Sequence, residues 1–145
     1  MTLLEKGQIN EVRNNLPELF ERYPENAGVY FLDALTTDNG DTSVLKYETI
    51  IEKYPDTKFA SLSLMRIGEY LFARGLYSQA SSRFKNSLIK YPDGDHHQRA
   101  MDLMVDSYFA TGHSDSAKIS FFLSIPTLAA ASILGVYLSL IHISE

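Results

Sequence analysis

Asp93, Asp95, His96 and His97 form a local cluster of carboxylates and imidazoles, the side chains that ligate divalent metals. Ligation from a helix needs two such side chains on one face, as at positions i and i+4. Adjacent histidines project in different directions, and His113 is too far along the chain to be placed beside them. The cluster is therefore read as a solvated loop leading into a helix N-terminus, with no metal site. Asp38-Asn39-Gly40-Asp41 has the look of the start of a calcium loop. Counted from Asp38, however, the sixth residue is Ser43 where that loop needs glycine, and the twelfth is Thr49 where it needs glutamate. The Asn-Gly pair suits an inter-helix turn instead.

Other chemistry finds no pattern to stand on. There is no phosphate-cradling glycine loop and no G-x-S-x-G elbow. The absence of cysteine removes disulfides, thiolate nucleophiles and cysteine-ligated metals, and leaves the compartment open. Serine, histidine and aspartate are all present, but no spacing selects a triad from them. The net charge is −5, and the 13 lysines and arginines are dispersed, unlike the clustered positive charge of a nucleic-acid binder. The expectation is a protein without catalytic residues, cofactor or nucleic-acid partner. With 145 residues, 45% hydrophobic and 21% charged, the chain can fold as an ordinary domain.

The positioning elements come from a repeat. A Tyr-Pro pair occurs three times, at Tyr23-Pro24, Tyr54-Pro55 and Tyr91-Pro92, with spacings of 31 and 37 residues. Arg22, Lys53 and Lys90 precede the pairs. Three residues before each tyrosine stands Phe20, Ile51 or Leu88, and seven before it Leu16, Tyr47 or Phe84. Steps of three and four share one helical face, so each copy predicts an amphipathic helix closed by proline. Proline lacks an N–H and disfavours helix at the residue before it, while the basic residue suits the negative end of the helix dipole.

A second kind of helix falls between the pairs. Residues 56–75 carry Leu64, Ile67 and Leu71 on one stripe, widened by Met65 and Phe72. Asp56 is the expected N-cap and Gly75 the expected stop. Residues 77–90 make the partner helix. Residues 98–111 repeat the grammar with Met101, Met104, Val105 and Tyr108 inside and Gly112 at the end. Pro17 is the irregularity: it predicts either a kink or a short helix from Leu16 capped by Asn14 or Asn15.

These residues resemble tetratricopeptide repeats, whose pattern is roughly W-x2-L-G-x2-Y…A-x3-F…P over 34 residues. Residues 61–92 fit best, with Leu64, Ile67-Gly68, Gly75, Tyr77, Ala80, Phe84 and Pro92 in place and Leu71 replacing a tyrosine. In residues 98–121, Met101, Met104, Tyr108, Gly112 and Ala117 match, and Val105 replaces the glycine. The unit before Pro55 keeps Ser43 and Tyr47 but has Phe31 for glycine, and the first keeps Gly7, Val12, Leu16 and Pro24. The Tyr-Pro-Asp junction and the 37-residue spacing are similar to an envelope branch that includes the tol-pal coordinator of cell division and outer-membrane-assembly lipoproteins.

The resemblance implies an all-α solenoid of three to four antiparallel hairpins and a protein-binding role. A lone hairpin cannot bury its apolar face, and stacking creates a concave groove. The family's groove positions fall on Leu62, Met65, Glu69 and Phe72, then on Arg99, Asp102, Asp106 and Phe109, with Arg66 alongside. That mixed apolar and acidic lining implies a peptide with apolar anchors and basic charge. The competing reading is that Met65, Phe72 and Phe109 are core and the acids a solvated face. The acids at these positions do not suit a clamp for C-terminal carboxylates.

Of the 13 basic and 18 acidic residues, all but Glu145 lie within residues 1–118, so residues 1–118 are read as the repeat domain and 119–145 as an apolar tail. Three readings of the tail stay open. Residues 119–143 are long enough to span a bilayer, although Pro126 interrupts them. Phe121 stands where a repeat helix wants an aromatic, so the tail could complete the last hairpin and cap it. The closing Ser-Leu-Ile-His-Ile-Ser-Glu also has the form of a translated sequencing adapter, which would make the end non-native. Residues 1–8 lack the basic start and apolar core of a signal peptide, so the expected compartment is cytoplasmic, or the bacterial periplasm if the start is truncated. Self-association through an uncapped end is a further expectation. The alternative function is a membrane-anchored structural subunit of an envelope assembly. Detergent dependence separates the two: a scaffold stays soluble once the tail is removed, and an anchored subunit requires detergent while the tail is present.

Overall fold

Proline and glycine punctuate the chain into helices. A computed structural model describes residues 8–113, which form six α-helices and, among these residues, no strand. They are α1 (Ile9–Arg22), α2 (Ala27–Leu35), α3 (Gly40–Lys53), α4 (Lys58–Ala73), α5 (Tyr77–Lys90) and α6 (His97–Ala110). The protein is all-α, built from helical hairpins: α2 packs against α1 and α3, and α5 against α6. The expectations for Gly7, Ala117, Phe121 and the tail lie outside the described residues. The chain divides into two compact units, Met1–Tyr70 and Leu71–Glu145, a boundary that falls within α4.

All three Tyr-Pro pairs make the same junction. The tyrosine N–H closes the last helical turn, Tyr23 to the Leu19 carbonyl (2.8 Å), Tyr54 to Ile50 (2.9 Å) and Tyr91 to Ser87 (2.9 Å). Proline then takes the second position of a turn, where its fixed φ is suited. The N–H three residues past each tyrosine returns to the tyrosine carbonyl, from Asn26 (3.3 Å), Thr57 (3.1 Å) and Gly94 (3.1 Å). The helices entering the junctions, α1, α3 and α5, each have 14 residues. The unequal spacing of the pairs arises between them: α2 has nine residues and α4 sixteen.

The other type of connection ends in glycine. Gly75 (φ +74°) and Gly112 (φ +76°) adopt the left-handed conformation. The Gly75 N–H donates to Phe72 (2.9 Å) and the Leu76 N–H to Leu71 (2.9 Å), with the same pair at Gly112 to Phe109 (3.1 Å) and His113 to Tyr108 (2.9 Å). These are two Schellman endings, which satisfy carbonyls that the helix end leaves unpaired.

Three expectations are corrected. Helix α1 runs unbroken from Ile9 with Pro17 inside it, so no short helix starts at Leu16. Val12 and Leu16 are both buried, and that packing offsets an interior proline's cost of about 3 kcal/mol. Asp56 sits in the turn, because α4 begins at Lys58 and Thr57 occupies the position before it. Asn39-Gly40 is more than a turn: the Asn39 side chain accepts from the Thr42 N–H (2.8 Å) and caps α3, with Gly40 as the first helical residue.

The first unit's core is Val12, Leu16, Val29, Phe31, Ala34, Tyr47, Ile50, Leu64, Met65 and Ile67, with Phe31 between the rings of Tyr47 (5.5 Å) and Phe59 (5.6 Å). In the second unit Ala80, Phe84, Ala100, Met104 and Val105 are buried. The residues seven before each junction tyrosine, Leu16, Tyr47 and Phe84, are all core, as the spacing predicts. Buried serines allow close helix approach: Ser63 donates to the Phe59 carbonyl (2.7 Å) and Ser107 to Leu103 (2.6 Å), so neither hydroxyl needs a partner on another helix.

Two substitutions check this account. Ser63→Ala is expected to shift stability by less than about 1 kcal/mol, whereas Ser63→Val overpacks the site and costs about 1–3 kcal/mol. Gly75→Ala is expected to cost about 1 kcal/mol through left-handed strain alone, since a Cβ there meets nothing within 4 Å. Urea denaturation of each variant measures both.

Candidate functional site

The residues expected to line a groove divide between the two units. In the second unit, Arg99, Asp102, Asp106 and Phe109 follow one another at steps of three and four along α6, and all four are exposed, Phe109 by 53%. The opposite side of α6 is buried through Ala100, Met104 and Ser107. Gln98 donates from Nε2 to Asp102 (2.8 Å), orienting that carboxylate. Phe72 is half-buried and meets Tyr77 edge to face at 5.1 Å.

In the first unit, α4 carries the remaining positions. Leu62 and Glu69 are half-buried and Arg66 is exposed. Met65 is only 3% exposed and belongs to the core, so it is removed from the groove lining. The cause is the composition of α4: Ala60, Ser61, Ser63, Leu64, Met65, Ile67 and Gly68 are all buried, leaving few positions open. Phe109, for which the core was the competing reading, is at the surface.

Arg66 and Glu69 meet in a cleft of about 310 Å³, with Tyr70 from α4 and Thr37, Gly40, Ser43, Val44 and Tyr47 opposite. Arg66 Nη1 donates to Glu69 Oε2 at 3.0 Å. The Tyr70 hydroxyl donates to Asp41 Oδ1 at 2.9 Å, across the start of α3. Gly40 makes that approach possible: a Cβ there would lie 2.7 Å from Tyr70 Cζ. Sequence reasoning found Arg66 and Glu69 and placed Tyr47 on a buried helix face, where it lies, but took Gly40 as turn; the only signal for the cleft was a glycine at a helix start. A second cleft in this unit, about 360 Å³, is mainly apolar and includes Leu19, Val29, Leu32, Leu35 and Phe59. Among the described residues no group of three or more metal-ligating side chains converges, and no helix is long and apolar enough to cross a membrane.

Two tyrosines have raised pKa values. Burial pushes up the Tyr47 hydroxyl, opposed by the Arg66 charge and a hydrogen bond with Ser43 and reinforced by Glu69. Tyr54 is pushed up to about 12, first by desolvation, then by the Glu25 carboxylate to which its hydroxyl donates at 3.2 Å and by Tyr30.

No family model, curated protein or solved structure matches the chain.

Both shifts favour the neutral phenol in the folded state, so their stabilisation is present below the ordinary phenol value near 10 and is lost as pH rises through the folded value, about 12 for Tyr54. A spectrophotometric titration near 295 nm is expected to show a late phase that Tyr54→Phe diminishes, Tyr47 supplying what is left. An unchanged late phase in that variant would contradict the assignment.

Proposed function

We propose that this protein is a non-enzymatic scaffold of tetratricopeptide-like hairpins, one module of a larger bacterial assembly, that binds a peptide segment of a protein partner. The observation that carries the reading is the outer face of α6, where all four groove positions are exposed while the other side of the helix is buried. The triple Tyr-Pro junction supports it, because identical junctions are what a repeat array requires. On α6, Asp102 and Asp106 stand one turn apart with Phe109 beyond them. A complementary peptide carries lysine or arginine spaced to meet the two carboxylates and an apolar side chain for Phe109.

Peptide display against the purified chain tests this. Enriched sequences are expected to combine basic and apolar residues, and their affinity is expected to fall tenfold or more, about 1.4 kcal/mol, for the double variant Asp102→Lys, Asp106→Lys. Both positions are exposed, so the variant is expected to melt near the parent temperature. Undiminished binding by the double variant, or no enrichment at all, would overturn the proposal.

A further inference from the structure

The cleft between α3 and α4 combines features that a peptide-binding face on α6 does not use. Its volume, about 310 Å³, is at the lower end of ligand pockets, which run from about 300 Å³ upward, so it suits a molecule of single-residue size. A cation and an anion stand side by side on one wall, Arg66 and Glu69, joined by one bond of 3.0 Å. That bond uses Nη1 of a guanidinium with five N–H donors. An i,i+3 pair with the arginine side chain 46% exposed is weak, so a ligand's charge can compete with it.

The charges also balance. Arg66 faces Glu69, and Asp41 lies in the first turn of α3, where the helix dipole offsets a negative charge. An anion alone would meet the Glu69 carboxylate, and a cation alone would meet Arg66. A zwitterion laid head to tail against the pair satisfies both, its carboxylate on Arg66 and its ammonium on Glu69. The remaining walls are Thr37, Gly40, Ser43, Val44 and the rings of Tyr47 and Tyr70, of which Val44 and the two rings suit an apolar side chain.

We propose that this cleft binds a free α-amino acid with an apolar side chain, held through both its charged groups by Arg66 and Glu69. The site lies wholly within the first unit and does not depend on the peptide-binding reading.

Two-dimensional NMR of the full chain, titrated with L-leucine, tests the site; N-acetyl-leucine and leucine amide each remove one ligand charge. Leucine is expected to shift the amide signals of Ser43, Arg66, Glu69 and Tyr70 saturably, with each control at least tenfold weaker. Arg66→Ala is expected to abolish the shifts, and Arg66→Lys to restore part of the affinity, since lysine keeps the charge without the fork. The double variant at Asp102 and Asp106 is expected to bind leucine as the parent does, which separates this site from the peptide face. No saturable shift with leucine, equal binding of N-acetyl-leucine, or undiminished binding by Arg66→Ala would each overturn the proposal.

Discussion

A proline that cannot continue a helix is the constraint on which the rest of this structure depends. At each of three sites a tyrosine closes the last helical turn, and the proline after it turns the chain toward the next helix with the same hydrogen bonds. Because the junction is fixed in its backbone, the helix entering it is fixed in phase. The residue seven before the tyrosine therefore always falls inside, whether it is leucine, tyrosine or phenylalanine. The junction requires only tyrosine's N–H and carbonyl, so the side chain is left to other work. Tyr54 uses its ring against Tyr30 (5.6 Å) and its hydroxyl on Glu25, tying two successive junctions together.

Small residues set how closely the elements approach. Ser63 and Ser107 are fully buried with hydroxyls turned back on their own helices. Glycine serves the same end at Gly28, where a Cβ would come within 2.9 Å of Phe59 Cζ. At Gly40 the missing side chain admits Tyr70, and the cleft beside Arg66 is bounded by that pair. Arg13 fixes another connection: its guanidinium donates to the Thr36 carbonyl at the end of α2 and pairs with Asp38 (2.7 Å).

Most of the helical plan was legible in the sequence because it rests on backbone rules. Proline, glycine and a 3.6-residue period located the breaks, and α5 matched its expected bounds to the residue. Pro17 misled because propensity is local, whereas burial of Val12 and Leu16 is tertiary. Met65 misled for a related reason: a family position marks a face, but α4 is enclosed on most of its sides. The cleft was hardest to read. It depends on absent atoms at Gly40 and on two walls far apart along the chain, Gly40 to Tyr47 on one helix and Arg66 to Tyr70 on the next, and periodicity carries no information about either.

Helix α4 exceeds α2 by seven residues, sixteen against nine, and seven residues make nearly two complete turns. A helix lengthened by that amount returns to almost the same angular setting about its axis, about 10 Å further along. A length change of two or five residues would instead rotate everything beyond it to the wrong side. A step of seven residues thus conserves which side of a helix is turned inward, so α4 gains reach over α2 without giving up the face it buries.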